Sequence, residues 1–249
     1  MDIVIAFACC LVPSLALFFW VKSLQKDKPG YAGTCKKALL NGFLATVPVV
    51  VICLVLSILG SLTGLGDRGT IPGAIYRCFV MFALAEEGSK FFLFRQTLKK
   101  TTCQVSWFDT VAFMVLVGVG FGILENIFYS LEMGLGQAII RGITIGHGCY
   151  GFIMGYFYGK AIKTGKKWYY VVAFVLPYLL HAFYDFGLSP VLEPYFIFGF
   201  ISVMLAALDL VLVVIMIVFF ARRHKDERYT APLGIKAPAA PIAETPAKE

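Results

Sequence analysis

Apolar residues occur along this chain in long runs that short polar segments interrupt at fairly regular intervals. A run of about 20 residues is long enough to cross a bilayer as a helix. Seven runs of roughly this length are present, near 2–21, 38–62, 74–94, 108–131, 138–159, 168–187 and 196–220. The pattern predicts an all-α fold, a polytopic transmembrane bundle of about seven spans.

The segments that connect these runs alternate in charge. Most Lys and Arg residues lie in the connections 22–37, 95–107, 160–167 and 221 onward. The alternate connections, 63–73, 132–137 and 188–195, hold one basic residue, Arg68, beside acids such as Glu132 and Glu193. Because basic loops are retained in the cytoplasm, the N-terminus is predicted outside and the C-terminus inside. We also expect the basic loops to contact anionic lipid.

Composition agrees with a membrane protein. The chain is 59% hydrophobic and 15% charged, with a mean hydropathy of +0.80. That is too apolar for a soluble domain. The net charge of +7 then reflects the basic loops, and no nucleic-acid partner is expected. The seven cysteines show neither a disulfide framework nor metal-ligand spacing.

One membrane-embedded domain, residues 1–221, is predicted, followed by a tail at 222–249. The first apolar run lacks the basic segment of a signal peptide, so we expect it to be a retained helix. The tail is basic and then rich in Pro and Ala, as at 237–241. Such a segment has little apolar surface to bury, and we expect it to be disordered in the cytoplasm.

The third run contains Glu86-Glu87-x-x-Lys90. Each charge near the centre of a transmembrane helix costs about 2.5–3.5 kcal/mol, so these residues are expected to have a use. Lys90 is one helical turn from both acids and can pair with either one. The remaining carboxylate can then serve as a general base. The alternative is a structural ion pair that fastens two helices.

Further ionisable residues are concentrated in the runs that follow. The catalytic candidates are Glu86, Glu87, Glu125, His147, His181 and Asp185, and the supporting candidates are Lys90, Asn126 and Arg141. At ~1.5 Å of rise per residue, most of the catalytic set falls in the outer half of the membrane. Arg141 lies near the outer surface, where snorkelling is its simplest role. Asp209 is a lone acid of the last run, without an assigned role.

Spacing within the runs indicates how these residues meet. His181 and Asp185 share a helix face, so the acid can orient the imidazole. The glycines at 118–122 allow the helix that carries Glu125 to pack closely on a neighbour. His147 begins a four-residue spacing that continues through Gly151, and this stripe predicts a tight helix contact.

The set suits water activation. A glutamate base takes a proton from water, the hydroxide attacks an amide carbonyl, and a histidine stabilises the oxyanion or protonates the leaving amine. Neither a G-x-S-x-G elbow nor an H-E-x-x-H zinc helix is present. Glu and His can both ligate metal, but their spacing is not that of a zinc site. No cofactor and no metal are therefore predicted.

Four motifs occur in order on successive runs: Glu86-Glu87-x-x-Lys90, Phe121-x-x-x-Glu125-Asn126, His147-x-x-x-Gly151 and His181-x-x-x-Asp185. Together they resemble the PrsW family of glutamic-type intramembrane proteases, relatives of the CAAX-protease and bacteriocin-processing membrane peptidases. The resemblance covers about residues 75–190. In the wider superfamily the second motif usually ends in His, whereas here it ends in Glu125.

The resemblance implies a water-activating base at Glu86 or Glu87 and a second essential acid at Glu125. It implies that His181 and Asp185 bind water or the oxyanion, with His147 as a further candidate. Family members cut membrane-anchored proteins on the extracytoplasmic side, notably anti-sigma factors, so the expected substrate is a single-span membrane protein. Two other classes stay open: a proton-coupled transporter, and a non-catalytic immunity or assembly protein of the plasma membrane.

Overall fold

The protein is helical throughout the part that the computed structural model describes, residues 2–129 and 135–235. The helices in chain order are α1 (Asp2–Leu24), α2 (Tyr31–Thr63), α3 (Ile71–Ile75), a π-helical segment (Tyr76–Ala83), α4 (Leu84–Lys99), α5 (Trp107–Tyr129), α6 (Leu135–Thr144), α7 (Gly146–Thr164), α8 (Trp168–Gly187), α9 (Phe196–Arg223) and α10 (Glu227–Thr230). A 3₁₀ turn, Pro190–Leu192, links α8 to α9. The predicted all-α class is confirmed.

Five of the predicted runs form single helices that are long and apolar enough to cross a membrane. They are Val4–Leu24, Tyr31–Thr63, Trp107–Phe128, Trp168–Gly187 and Phe196–Arg223. A multi-pass membrane protein is therefore supported. The count of seven spans and the orientation of the termini are not confirmed by these helices.

The other two runs are composite, for two physical reasons. In the third run, α3, the π-helical segment and α4 follow one another directly, and the charges of α4 lower its hydropathy. The fifth run divides at Ile145, whose φ of 44° is left-handed and separates α6 from α7. The connection expected at 132–137 lies partly outside the described residues, as does its Glu132.

Helix α5 is the centre of the bundle, and glycines bring its neighbours close. A Cβ at Gly118 would meet the His147 carbonyl of α7, and one at Gly151 would lie 2.7 Å from the Met114 carbonyl of α5. On the opposite side, Gly42 of α2 faces the backbone around Gly120. The tight contact predicted for the glycine stripe is confirmed, and α5 is held between α2 and α7.

The four basic connections meet at one end of the bundle. Their contacts pair Gln25 with the His224 carbonyl, Lys28 with Asp109, Thr34 with Thr101, Lys163 with the Arg228 carbonyl, and the Leu233 amide with the Val105 carbonyl. The basic connections, which alternate with the others along the sequence, are thus gathered at one end, which we call the basic end. This is the arrangement that the charge pattern predicted.

The start of the tail packs on this basic end, although we expected no fixed structure there. Helix α10 is capped by the Asp226 side chain. The Tyr229 ring packs against Trp107, with centroids 4.7 Å apart, and against Phe219 at 5.3 Å. The aromatic residue supplies apolar surface that the Pro- and Ala-rich composition does not reveal. Residues 236–249 lie outside the described part of the chain.

Candidate active site

Glu87 is the most completely paired acid of the α4 motif. Its Oε1 accepts from Lys90 Nζ at 2.6 Å and from His181 Nδ1 at 2.9 Å. Lys90 also lies over the Phe121 ring, with its Nζ 4.4 Å from the centroid. Both charged side chains are buried. The predicted pairing of Lys90 with one of the two glutamates is therefore present, and Glu87 is the closer partner.

Glu86 is buried beside this pair without a hydrogen bond of its own. Its Oε2 lies 3.8 Å from Lys90 Nζ and 3.8 Å from His181 Nε2. These distances exceed a hydrogen bond, and this oxygen has no hydrogen-bond partner among the described residues. Glu86 is thus the carboxylate that the local pairing leaves over.

His181 connects the α4 acids to the end of α8. Its Nδ1 faces Glu87, and its Nε2 lies 3.3 Å from Asp185 Oδ2, one turn further along the same helix. The shared face predicted from the spacing of His181 and Asp185 is confirmed. With an acid on each side, the imidazole is fixed in its own plane.

His147 lies in the first turn of α7, two residues after the left-handed Ile145. Its Nε2 contacts Glu125 Oε2, and its Nδ1 lies 3.0 Å from Lys90 Nζ. Gly122 permits the approach, because a Cβ there would lie 3.2 Å from the imidazole. The glycines of α5 therefore bring Glu125 to a neighbouring helix, as predicted.

Arg141 is part of this network, and our interpretation that it simply snorkels is wrong. One guanidinium nitrogen lies 2.7 Å from Glu125 Oε2, and its Nε donates to Asn126 Oδ1 at 2.9 Å. Helix α6 packs against α1 and α9, and its Arg141 side chain extends to the carboxylate on α5. Asn126, a supporting candidate, accepts from it.

All nine candidates thus come together across α4, α5, α6, α7 and α8. Six of them, all but Glu86, Glu87 and Lys90, line a cavity of about 60 Å³, and that volume holds about two water molecules. Its lining includes Glu125, His147, His181 and Asp185, together with Tyr150 and Asp209. Sequence reasoning missed Tyr150, and it left Asp209 without a role. A lone acid in an apolar helix was the signal that pointed to the latter.

Comparison with known proteins decides the family. The profile described as "PrsW family intramembrane metalloprotease" matches residues 34–222. Protease PrsW of Shouchella clausii is 30% identical over 184 residues, which cover 72% of this chain and 81% of that protein. This chain belongs to the PrsW family. Protease PrsW of Bacillus subtilis is 27% identical over 187 residues, covering 72% of this chain and 80% of the relative. No solved structure matches the chain.

Membership in the PrsW family makes this chain an intramembrane endopeptidase of the cell membrane, a multi-pass peptide hydrolase that acts on protein. The resemblance drawn from the four motifs is confirmed. The hydrolase is therefore favoured over the transporter and over the non-catalytic protein. The role of each site residue is a separate question, which the match to the family does not answer.

The family description names a metalloprotease, so we asked whether the PrsW-type site fits a metal ion. Glu86, His147 and His181 each offer a ligand atom, and these atoms lie within 4.8 Å of one another. Two nitrogens and a carboxylate oxygen are a donor set that Zn²⁺ accepts. The unpartnered Glu86 Oε2 agrees with such a role. The residues fit, and our expectation of a metal-free reaction stays a prediction.

Proposed function

We propose that this protein hydrolyses a membrane-anchored protein with Glu86 as the base that activates water. The observation that carries the proposal is the difference between the two adjacent acids. Glu87 Oε1 is engaged by Lys90 and His181, whereas Glu86 Oε2 accepts no hydrogen bond from the part of the chain that the structure describes. Both acids keep a buried Oε2 without a partner among the described residues, but Glu87 is already committed through its Oε1 to Lys90 and His181, so Glu86 is the carboxylate that remains available as a base.

The other residues have distinct parts in this reaction. Water beside Glu86 loses a proton to the carboxylate, and the hydroxide attacks the carbonyl carbon of the scissile amide. His181 Nε2, 3.8 Å from Glu86 Oε2, shifts its N–H from Asp185 to the oxyanion that forms. Glu86 then returns the proton to the leaving amine as the C–N bond breaks. Glu87 and Asp185 orient His181, while Glu125 and Arg141 orient His147.

A metal ion is compatible with the same residues. Glu86, His147 and His181 would hold it, each imidazole through one ring nitrogen, with Glu87 and Glu125 as the acids that would orient His181 and His147 through the other nitrogen. A bound divalent ion would supply Lewis-acid chemistry to water or to a carbonyl oxygen. With or without it, Glu87 orients His181 and Glu125 orients His147.

The place of the site favours cleavage near the extracytoplasmic side. Glu125 and Asp185 lie within a turn or so of the ends of α5 and α8. The basic connections gather at the opposite ends of these helices, and basic loops are cytoplasmic in membrane proteins. The proposed substrate is a single-span protein cut near its outer end, as in anti-sigma-factor-type regulated proteolysis. Anionic lipid is the proposed partner of the basic end.

The test compares Glu86→Gln with Glu87→Gln in detergent-purified protein, on a panel of single-span membrane proteins. We expect Glu86→Gln to accumulate normally and to lose about 10²–10⁴-fold in cleavage rate. Glu87→Gln is expected to accumulate poorly, because it leaves Lys90 buried without its closest counter-charge. Glu193→Gln, an exposed acid between α8 and α9, serves as the matched control with full activity.

Parallel reactions with and without a chelator determine whether cleavage depends on a metal ion. Cleavage that persists in chelator supports metal-free activation by Glu86. Cleavage that is lost in chelator and restored by Zn²⁺ supports the metal-assisted form at the same residues. Normal cleavage by Glu86→Gln contradicts both forms of the proposal.

A further inference from the structure

We propose that Tyr150 and Asp209 form a positioning pair that holds the His181 imidazole against the catalytic acids. The inference rests on the proposed function, because it concerns the same histidine. Neither residue belongs to the four motifs, and both line the cavity beside the site.

Asp209 lies within α9, which is otherwise uncharged from Phe196 to its basic last turn. The residue is 5% exposed, and a charged or polar group at such a place is retained only where it has a partner or a function. That partner is Tyr150, whose hydroxyl donates to Asp209 Oδ2 at 3.4 Å. Asp209 therefore fixes the outer end of the Tyr150 side chain.

The Tyr150 ring packs against both histidines of the site. It stacks on His181 with centroids 5.4 Å apart and an interplanar angle of 22°. It meets the His147 ring edge-on, at 6.3 Å and 81°. Stacked and edge-to-face arrangements are the favoured geometries of aromatic pairs. One buried tyrosine thus contacts the two imidazoles of the site.

Hydrogen bonds alone do not fix the His181 ring. Glu87 and Asp185 hold its two nitrogens, which restrains the ring within its plane, but both acids leave its faces to its aromatic neighbours, Tyr150 and the His147 ring, which lies 5.4 Å away at 75°. On the cavity side the Tyr150 ring covers one face. Without the Tyr150 ring, the His181 imidazole can tilt into the cavity. Its N–H then no longer points toward the oxyanion.

A simpler role for Asp209 is to fasten α9 to α7, since the Cys149 thiol also contacts its carbonyl at 3.6 Å. That role would act on the amount of folded protein and not on kcat. The two roles are therefore separable by measuring kcat, KM and thermal unfolding on the same variants.

The kinetic test uses Tyr150→Phe, Tyr150→Leu, Asp209→Asn and Asp209→Leu, with Tyr178→Phe as the hydroxyl-deletion control on α8. Asp209→Asn keeps an acceptor and is expected to retain kcat within about 2-fold. Tyr150→Phe and Asp209→Leu are each expected to lower kcat about 3- to 10-fold at unchanged KM. The double variant should lose no more than the stronger single variant, because both remove one contact. Tyr150→Leu removes the aromatic ring, and its kcat should fall about 10- to 100-fold.

A readout independent of catalysis is the NMR spectrum of the imidazoles, since the chain has three histidines in all. The His181 ring signals, assigned with a His181→Gln variant, are expected to be displaced by the ring current of Tyr150. That displacement should disappear in Tyr150→Leu and persist in Tyr178→Phe. Unchanged His181 signals in Tyr150→Leu would overturn the proposal.

The kinetic outcomes are equally decisive. Full kcat in Tyr150→Leu, or additive losses in the double variant, would show that the pair does not position His181. Losses that follow the folded fraction and leave kcat per folded molecule unchanged would assign Asp209 to helix fastening and would also overturn it. Either result, obtained with an inactive Glu86→Gln, leaves the proposed function intact. An active Glu86→Gln overturns the proposed function instead.

Discussion

Ile145, the residue between α6 and α7, has a φ of 44° although its side chain is β-branched. A left-handed residue of this kind stores about 1–3 kcal/mol of strain, and such strain persists where the surroundings enforce it. Here it turns the chain so that His147 enters α7 facing Glu125. The Ile145 carbonyl also accepts from the Gly148 amide at 2.7 Å.

We expect Ile145→Gly to remove this strain without stabilising the protein, because the change also deletes a half-buried side chain that packs against the core and gives the unfolded chain more entropy. The same change loosens the start of α7, so the cleavage rate should fall because His147 is less firmly placed. Thermal unfolding and kcat measured on one preparation check both effects. A variant that gains both stability and rate would contradict this account of the turn.

Arg141 carries a second prediction at this scale. Arg141→Gln removes the cation from Glu125 and is expected to lower activity about 10-fold, because His147 then loses the orientation that Glu125 gives it. Arg68→Gln, an exposed arginine between α2 and α3, is the charge-matched control. Equal activity of the two variants would assign Arg141 a role away from the site.

Individual residues differed in how far the sequence could predict them. Glu86, Glu87, His181 and Asp185 were identifiable because ionisable groups rarely occur inside apolar runs. Arg141 was not placed correctly, since a flexible side chain near an interface can extend outward or inward and sequence gives no direction. Tyr150 could not be found at all, because one aromatic residue in an apolar run resembles the others.

The helix pair α5 and α7 supports the site through the closeness of its backbones. Gly118→Ala would force a methyl group into the His147 carbonyl, and overpacking of this kind costs about 1–3 kcal/mol. We expect the variant to be less stable and less active, because α7 must move and His147 moves with it.

The matched control is Gly33→Ala on α2, where an added Cβ meets nothing within 4 Å. It should be neutral or slightly stabilising, since Ala is the better helix former. Activity assays and unfolding curves compare the two variants directly. Equal behaviour would mean that the α5–α7 spacing is not critical.

At the level of elements, hydrophobic periodicity was sufficient for the uninterrupted helices and insufficient for the composite runs. A run of apolar residues does not distinguish α-helical from π-helical hydrogen bonding, so the segment at Tyr76–Ala83 could not be predicted. Nor does apolarity mark a break such as the one at Ile145, because the left-handed position is taken by a β-branched residue and not by the glycine, Gly146, that follows it.

At the scale of the molecule, the basic end is closed by the start of the tail. Tyr229→Ala removes two ring contacts, to Trp107 and Phe219, and is expected to lower the free energy of unfolding by about 1–3 kcal/mol. Cleavage per folded molecule should not change, because these rings lie far along the bundle from Glu86. A fall in kcat without a fall in stability would link the tail to catalysis instead.

The pairing of Glu87 has a consequence for how the chain enters the membrane. Its partner Lys90 is three residues away, whereas His181 follows 94 residues later. At ~5–20 residues per second of synthesis, α4 waits on the order of 5–20 s for that histidine. During this interval the lysine alone screens the carboxylate from lipid. Lys90 thus neutralises Glu87 while the helix is being inserted. Lys90→Met is therefore expected to lower the amount of protein inserted into the membrane, whatever its effect on catalysis.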